Sequence, residues 1–600
     1  MQKLNNDEPN AMRQILQAIF ILAKPATYVA GKTPRKLFTL AVATSALLLQ
    51  LHAQTKPLIK SNGVVNAASY AASYAAPGLP TSPIAQGSIF IVFGTGMGPA
   101  TLVQSSGFPV PITLAGTSLS VTVGTTIVKP YLLYVSDGQI AAVMPSATPT
   151  GTASLVVTYN GQASATAMFQ VAVNEFGIFT RNSAESGPAI ITNASVKVNG
   201  IDTLVTSTTA MKPGDYGIIW GTGLGPVAGD EAAGALPGDM PSVPLQVYVG
   251  GTLAKIAYTG RSGCCSGLDQ IVFVVPNTVQ GCAVPVAVKI GTEVSNYTSI
   301  AITSTGTVCT DPSGLSAADQ LRLSGTGSVA LGSLTLTRSN ITLPVPILGN
   351  VLNTSDIGAG LFEKFNYAQY SLFQNPTDFN IPGACTVFSY TGTTPTYNDP
   401  QQPTVLDAGD MLTVTGPNGV KTLVKGSATG LQYSRTLGSV TTGIPGGTPV
   451  YLDKGSYTVT GPGGPGVGAF SAAITLPDPL VKTNQAVTDT MTRSMGQTVT
   501  WTGGDATGTV LILGFSTTAG ARVGREFLCV EKASAGTFTV PASVLLALPA
   551  TSGAPSGTTA ASVIGALGVG FEKSNAFTAP GIDLGTIVGL VQNLKVVSYK

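Results

Sequence analysis

The sequence predicts an all-β protein of about four tandem β-sandwich units behind an N-terminal leader. Three observations carry this. The 600 residues include 72 glycines and 40 prolines but only 10 % charged residues, against roughly 25 % charge in an average soluble domain. Thr, Ser, Val and Ala fill much of the rest, a palette of strands and tight turns rather than helices. Short runs such as "SLSVTV" and "PVAVKI" alternate apolar and polar residues with period two, as half-buried strands do. The third observation is an internal repeat. "GTGMGP" (Gly94–Pro99) and "GTGLGP" (Gly221–Pro226) lie 127 residues apart, as do Asn66-Ala67 and Asn193-Ala194, and "QGSIFIVF" and "PGDYGIIW".

Taken in order, residues 1–54 read as a leader. Lys32, Arg35 and Lys36 form a basic patch, Leu37 to Leu51 an apolar stretch of secretory length, and Ala53 offers a small residue for cleavage. The only histidine, His52, falls inside it. A mature chain without histidine lacks Ser-His-Asp and Cys-His machinery and the imidazole that most zinc sites use. After the leader no uninterrupted apolar run reaches the ~20 residues of a membrane helix, so no span is expected. Net charge is +2 with scattered basic residues, which gives no stripe for nucleic acid.

The duplicated units run over 62–175 and 176–306. Further on, "DGQIAAVMP" answers "LDQIVFVVP", and "GTASLVVTYNGQAS" answers "GCAVPVAVKIGTEVS". Seven or so short strands per ~110 residues is the signature of an immunoglobulin-like sandwich. The run from "NAASY" through "GSIFIVFGTGMGPA" to "GTASLVVTYNGQAS" resembles the Solibacter-type C-terminal repeat family of secreted bacterial proteins. Its layout is also similar to the IPT/TIG immunoglobulin-like domain. The resemblance covers residues 62–305. It implies a β-sandwich and export, and it brings no catalytic residues.

A linker at 307–330 should hold a short helix, with Ser316 capping it and Asp319 three residues on. Residues 331–480 and 481–600 read as two further sandwiches. "MLTVTGPNGV" and "SYTVTGPGGP" share a strand-and-turn hairpin signal in the first, and "QTVTWTGGDATGTVLILG" reads as two strands around a turn in the second. Trp220 and Trp501 fall in strand-like runs and are expected in cores.

Four kinds of candidate site follow. The glycine-rich turn (Gly94, Gly96 and Gly98; Gly221, Gly223 and Gly225) could cradle a phosphate, but that needs a helix N-terminus after it. Prolines follow instead, so a bend that leads the chain from one sheet to the other is expected. Asp230, Glu231 and Asp239 in the loop after the second turn are the calcium candidates, although their spacing matches no known calcium loop. Asp407 with Asp410, and Asp137 with Asp269, are formal carboxylate pairs for glycoside hydrolysis. The aromatic run Leu361–Phe379 could stack Phe365, Tyr367 and Tyr370 on sugar rings, or could be core. The six cysteines are disulfide candidates in an exported chain. Adjacent cysteines rarely bond each other, so Cys264 and Cys265 are each expected to reach one of Cys282 and Cys309. Cys385 and Cys529 either pair across domains or stay reduced.

The expected protein is exported and non-catalytic, without cofactor. Its role would be structural, adhesive or interaction-based, with an unknown extracellular protein or polysaccharide as partner. The alternatives are a carbohydrate-binding protein and, behind it, a two-carboxylate hydrolase.

Overall fold

A computed structural model describes residues 56–71, 82–310, 316–319, 321, 327–345, 349–366, 381–391, 394–395, 403–426, 432–518, 523–551 and 563–600. Residues 1–54, expected to be a leader, and Tyr367 and Tyr370 lie outside these residues. The described chain is overwhelmingly β-strand, in tandem immunoglobulin-like sandwiches followed by a larger sheet.

The first unit packs two sheets face to face. One runs in the order Leu58–Asn66, Ile89–Thr95, Gln139–Val143, Tyr131–Val135 and Val103–Gln104. The other runs Ile84–Ala85, Ala167–Ala172, Gly151–Tyr159, Thr117–Val123 and Thr113–Leu114. Alternation sets the faces. In Thr117–Val123, residues 117, 119, 121 and 123 are buried while 118, 120 and 122 are partly exposed. Phe90, Val92, Leu119, Leu155 and Phe169 meet between the sheets.

The second unit repeats these pairings strand for strand. Tyr216–Thr222 takes the place of Ile89–Thr95 and lies between Ile191–Val198 and Asp269–Val274. Gly281–Ile290 pairs with Leu245–Val249 and Thr298–Ile302, as Gly151–Tyr159 pairs with Thr117–Val123 and Ala167–Ala172. One difference follows from a single residue. In the first unit Thr126–Val128 and Tyr131–Val135 are separate strands in separate sheets, with Pro130 between them. Proline has no N–H for a ladder. Thr252–Arg261 of the second unit holds no proline and runs unbroken, pairing with Leu245–Val249 in one sheet and Asp269–Val274 in the other.

Residues 317–319 are helical, and the Ser316 hydroxyl accepts the Asp319 N–H (3.1 Å) while donating to its carboxylate (2.7 Å). Beyond it, strands on both sides of the 480/481 boundary lie in one continuous sheet. Its centre is four long strands, Ser328–Val345, Gly349–Asn366, Val563–Phe577 and Leu584–Tyr599. Ser328–Val345 runs parallel to Leu584–Tyr599, from Leu331 opposite Leu584 to Thr342 opposite Lys595. Two cores lie on this sheet. One gathers Phe362, Tyr433 and Tyr457 with Phe577 and Ile587. The other gathers Cys385, Trp501, Phe527, Phe571 and Tyr599. Val563–Phe577 and Leu584–Tyr599 feed both, since at about 3.3 Å per residue each is long enough to cross two cores. Trp220 and Trp501 are both buried, as expected. Among the described residues no helix is long and apolar enough to cross a membrane.

The disulfides correct one expectation. Cys264 bonds Cys265, Cys282 bonds Cys309, and Cys385 bonds its cross-strand neighbour Cys529. The exchange expected among the first four does not occur because the fold separates them. Cys282 and Cys309 pack with Ala210 and Ala301, while Cys264 and Cys265 sit in a loop turned toward the first unit.

Candidate functional site

Both glycine-rich turns bind a carboxylate, and in both it is their own. In the first copy the Gly96 N–H donates to Asp137 Oδ1 (3.1 Å). In the second, the N–H groups of Gly223 and Leu224 donate to Asp269 Oδ2 (2.7 and 2.8 Å). Successive N–H groups in such a turn form an anion-binding concavity, and here an internal anion fills it. The glycines are there for space. A Cβ on Gly221 would lie 2.2 Å from the Phe176 ring, and Gly223, at φ +110°, would bring one 2.1 Å from the Glu175 carbonyl. The turn is a bend, and Asp137 and Asp269 serve it rather than forming a hydrolytic pair.

The two copies use the same turn differently. Thr95 of the first is exposed, whereas its counterpart Thr222 is fully buried. Thr222 Oγ1 accepts the Ile89 N–H of the first unit (2.8 Å) and donates to the Gly267 carbonyl (2.6 Å). Beside it Arg261, 1 % exposed, donates Nη1 to the Gly87 carbonyl of the first unit and Nη2 to the Gly225 carbonyl, both at 2.7 Å. Its Nη1 also lies 3.2 Å from Asp269 Oδ1. Burial pushes the Asp269 carboxyl up to about 6, against the pull of Arg261 and the two turn amides. The Ser146 N–H donates to Glu231 Oε2 (2.8 Å), and the Val110 N–H to the Ala232 carbonyl (2.8 Å). These bonds join the units into one body.

A shared apolar core lies behind this seam. Val65, Ile91, Tyr134 and Val143 of the first unit pack with Phe179, Ile190, Trp220 and Leu268 of the second. Within it opens a cavity of about 590 Å³, in the range of small-molecule sites. The sheet of the first unit supplies Ile89, Ile91, Leu133 and Ala141 to its wall, and the second unit supplies Phe179, Ile190 and Leu268. The half-buried Cys264–Cys265 disulfide forms part of the lining. Phe108, 44 % exposed, stands at its rim. Among the described residues, none that lines it is charged. Two phenols reach it, and burial pushes both up, so Tyr70 and Tyr134 stay neutral.

The other expected sites are not assembled in this way. Asp230 caps its own loop through the Ala232 N–H (2.9 Å), Glu231 faces Ser146 in the seam, and Asp239 lies in the short strand Gly238–Asp239. Among the described residues no three potential ligands gather for a metal ion. Asp407 is bound by Lys425 (2.7 Å) and the Gly409 N–H, which hold its carboxyl below the usual range, while Asp410 is exposed. That is not the raised acid a hydrolase pair needs. Phe362 and Phe365 are 0 % and 3 % exposed. As core residues they offer no face to a sugar, which corrects the platform expectation at Phe365.

One signal of the cavity lies in the spacing of the repeats rather than in their motifs. The repeat offset is 127 residues at the glycine-rich turn but 131 at Gln139 and Gln270. The extra residues fall between Arg261 and Asp269, in the loop that carries the adjacent cysteines.

No protein-family model matches the chain, and no curated protein does either. Among solved structures, it is similar to the SGBP-B protein of a Bacteroides ovatus mixed-linkage glucan utilization locus, in complex with a heptasaccharide. Identity there is 8 % over 78 % of this chain and 95 % of that one, with a TM-score of 0.12. It is also similar to immunoglobulin domains 1–4 of Sidekick-1 (11 % identity, 88 % and 97 % covered, TM-score 0.11) and to the I67–I69 fragment of titin (8 %, 70 % and 95 %, TM-score 0.11). Superposition this weak says nothing about function, and the fold rests on the chain's own strand pairings.

Proposed function

We propose that this chain is an exported, non-catalytic interaction protein, with a structural or adhesive role at the cell surface or outside the cell. The observation that carries the proposal is the junction of the two repeats. They are locked together by buried hydrogen bonds around a cavity in which no described lining residue is charged, so among the described residues no acid, base or ionised nucleophile faces its interior. Such a place can hold a molecule but has little with which to transform it. Three disulfides fit an oxidising compartment. Reading the duplicated unit as a Solibacter-type repeat, and residues 1–54 as a signal peptide, agrees with export.

The test is a binding screen of the leader-free protein against polysaccharides, cell-wall fractions and small molecules, with hydrolysis assayed in parallel. Saturable binding without turnover is the expected result. Turnover of any bound polysaccharide would overturn the non-catalytic reading. Loss of binding on Tyr367→Ala or Tyr370→Ala would move the protein to the carbohydrate-binding class.

A further inference from the structure

We infer that the junction cavity is a binding site for a neutral, largely apolar small molecule, two or three fused rings in size. This rests on the interaction reading above and names the class of ligand.

The chemistry of the wall decides the class. An ion entering the cavity would leave water without meeting an opposite charge, because the described residues of the lining carry none and both phenols stay protonated. A sugar would fare little better. Each of its hydroxyls needs a partner once buried, and the polar side chains here are largely committed to the protein itself. Ser105 Oγ donates to the Gly107 carbonyl, and Thr180 Oγ1 donates to the Ala184 carbonyl while accepting the Ala184 N–H. Ser266 Oγ donates to the Glu231 carbonyl, the Tyr134 hydroxyl accepts from Gln139, and Tyr70 is hydrogen-bonded to Ser183. Beyond the exposed amide of Gln104, what a ligand meets is aliphatic and aromatic surface together with a disulfide, whose sulfurs are soft and polarisable. Sulfur packs favourably against rings, and Phe179 and Phe108 add aromatic faces to the same cavity.

The wall also has an independent mark of divergence. The loop that brings the Cys264–Cys265 disulfide is the insertion that distinguishes the second copy from the first, and it falls where the two units meet. A sandwich needs no such loop, since the first unit closes the same pair of strands with Ser136, Asp137 and Gly138.

The experiment titrates the leader-free protein with N-phenyl-1-naphthylamine, a neutral apolar fluorophore, and with 8-anilino-1-naphthalenesulfonate, the same scaffold carrying a sulfonate. The neutral probe should bind saturably at one site, and the sulfonate at least about tenfold more weakly, because its charge has no partner in the cavity. Ala141→Phe should fill the cavity and abolish binding. Phe108→Ala, a change at the exposed rim that leaves the core intact, should weaken it about three- to tenfold, the loss of one aromatic contact. Equal affinity for the two probes, or neutral-probe binding that neither substitution alters, would overturn the inference. A neutral hexasaccharide that displaces the probe from the wild type would make the cavity a sugar site, overturning the ligand class but sparing the interaction reading. Retained binding to cell-wall fractions with no probe binding would likewise overturn the cavity's role alone.

Discussion

The two sandwich copies share a strand plan and differ where they touch. In the first copy the turn carboxylate is Asp137, bonded near the surface to Gly96. In the second it is Asp269, with 0 % exposure, bonded to Gly223 and Leu224 and paired with the equally buried Arg261. The same turn, "GTGxGP", closes a strand in one copy and holds the seam between copies in the other. The copies keep the pairings that make a sandwich and differ on the face where they meet. There the second copy has an arginine that reaches across to Gly87 and a longer loop with a disulfide, and its strand Thr252–Arg261 is continuous where Pro130 separates two strands of the first.

Removing Asp269 should expose this difference most strongly. Asp269→Ala strands Arg261 as a buried charge and leaves two turn amides without their acceptor. Breaking a buried pair in this way costs about 3–5 kcal/mol. Urea unfolding in a Trp501→Phe background would report it, since Trp220 is then the only tryptophan and sits in the shared core. A loss below about 1 kcal/mol, the range of exposed pairs, would mean that the seam does not depend on this pair.

The second difference is covalent. Cys282–Cys309 closes 27 residues of the second copy, and the first copy has no cysteine at all. Replacing both with serine should cost about 2–4 kcal/mol, mainly by freeing the unfolded chain. The loss should appear in the Trp220 transition, and hydrogen exchange of the Phe90 and Leu155 amides in the first copy's own core should be unchanged. Faster exchange at those amides would show that the copies unfold as one cooperative unit.

How much of this could be read from residues alone follows from which forces leave a periodic trace. Strand alternation and the 127-residue repeat gave the sandwiches, because each strand's inward face must be apolar whatever it meets. The role of the glycine-rich turn was also legible, since prolines after it forbid a helix. The junction was not, because Ile89, Tyr134 and Phe179 look like any other core residue until the second unit arrives. Of the two readings of the aromatic run, platform and core, Phe362 and Phe365 take the core one. Phe362 joins one core of the large sheet, whereas Phe365, three residues on, is buried on the opposite face of the long strand Gly349–Asn366. The cysteines were read by spacing, whereas their partners are set by which end of the sandwich each occupies.

Acidity separates the copies further. The folded carboxyl of Asp269 titrates near 6, above the ordinary value of 3.8. Between about pH 4 and 6 the native state keeps a proton that the unfolded chain has released. This group's contribution is therefore full below pH 4 and falls as pH rises through 6, by on the order of 1–3 kcal/mol. Asp269→Asn should flatten that slope in the Trp220 transition. A slope of unchanged size in the variant would assign the dependence to another group.

The smallest effect completes the contrast between the turns. Asp137 makes the corresponding bond at 3.1 Å where water can reach it. Asp137→Ala lets water replace the carboxylate at the Gly96 N–H, and the backbone bond from Met97 N–H to the Asp137 carbonyl survives the change. The loss should be about 0.5–1 kcal/mol, that of one exposed hydrogen bond. Because Gly96 lies away from the seam, Trp220 fluorescence and probe binding in the cavity should both stay at wild-type values. If Asp137→Ala instead cost as much as Asp269→Ala, the two turns would be energetically equivalent. The burial of Asp269 beside Arg261 would then be packing without consequence, and the second copy's divergence would have to be sought in its inserted loop alone.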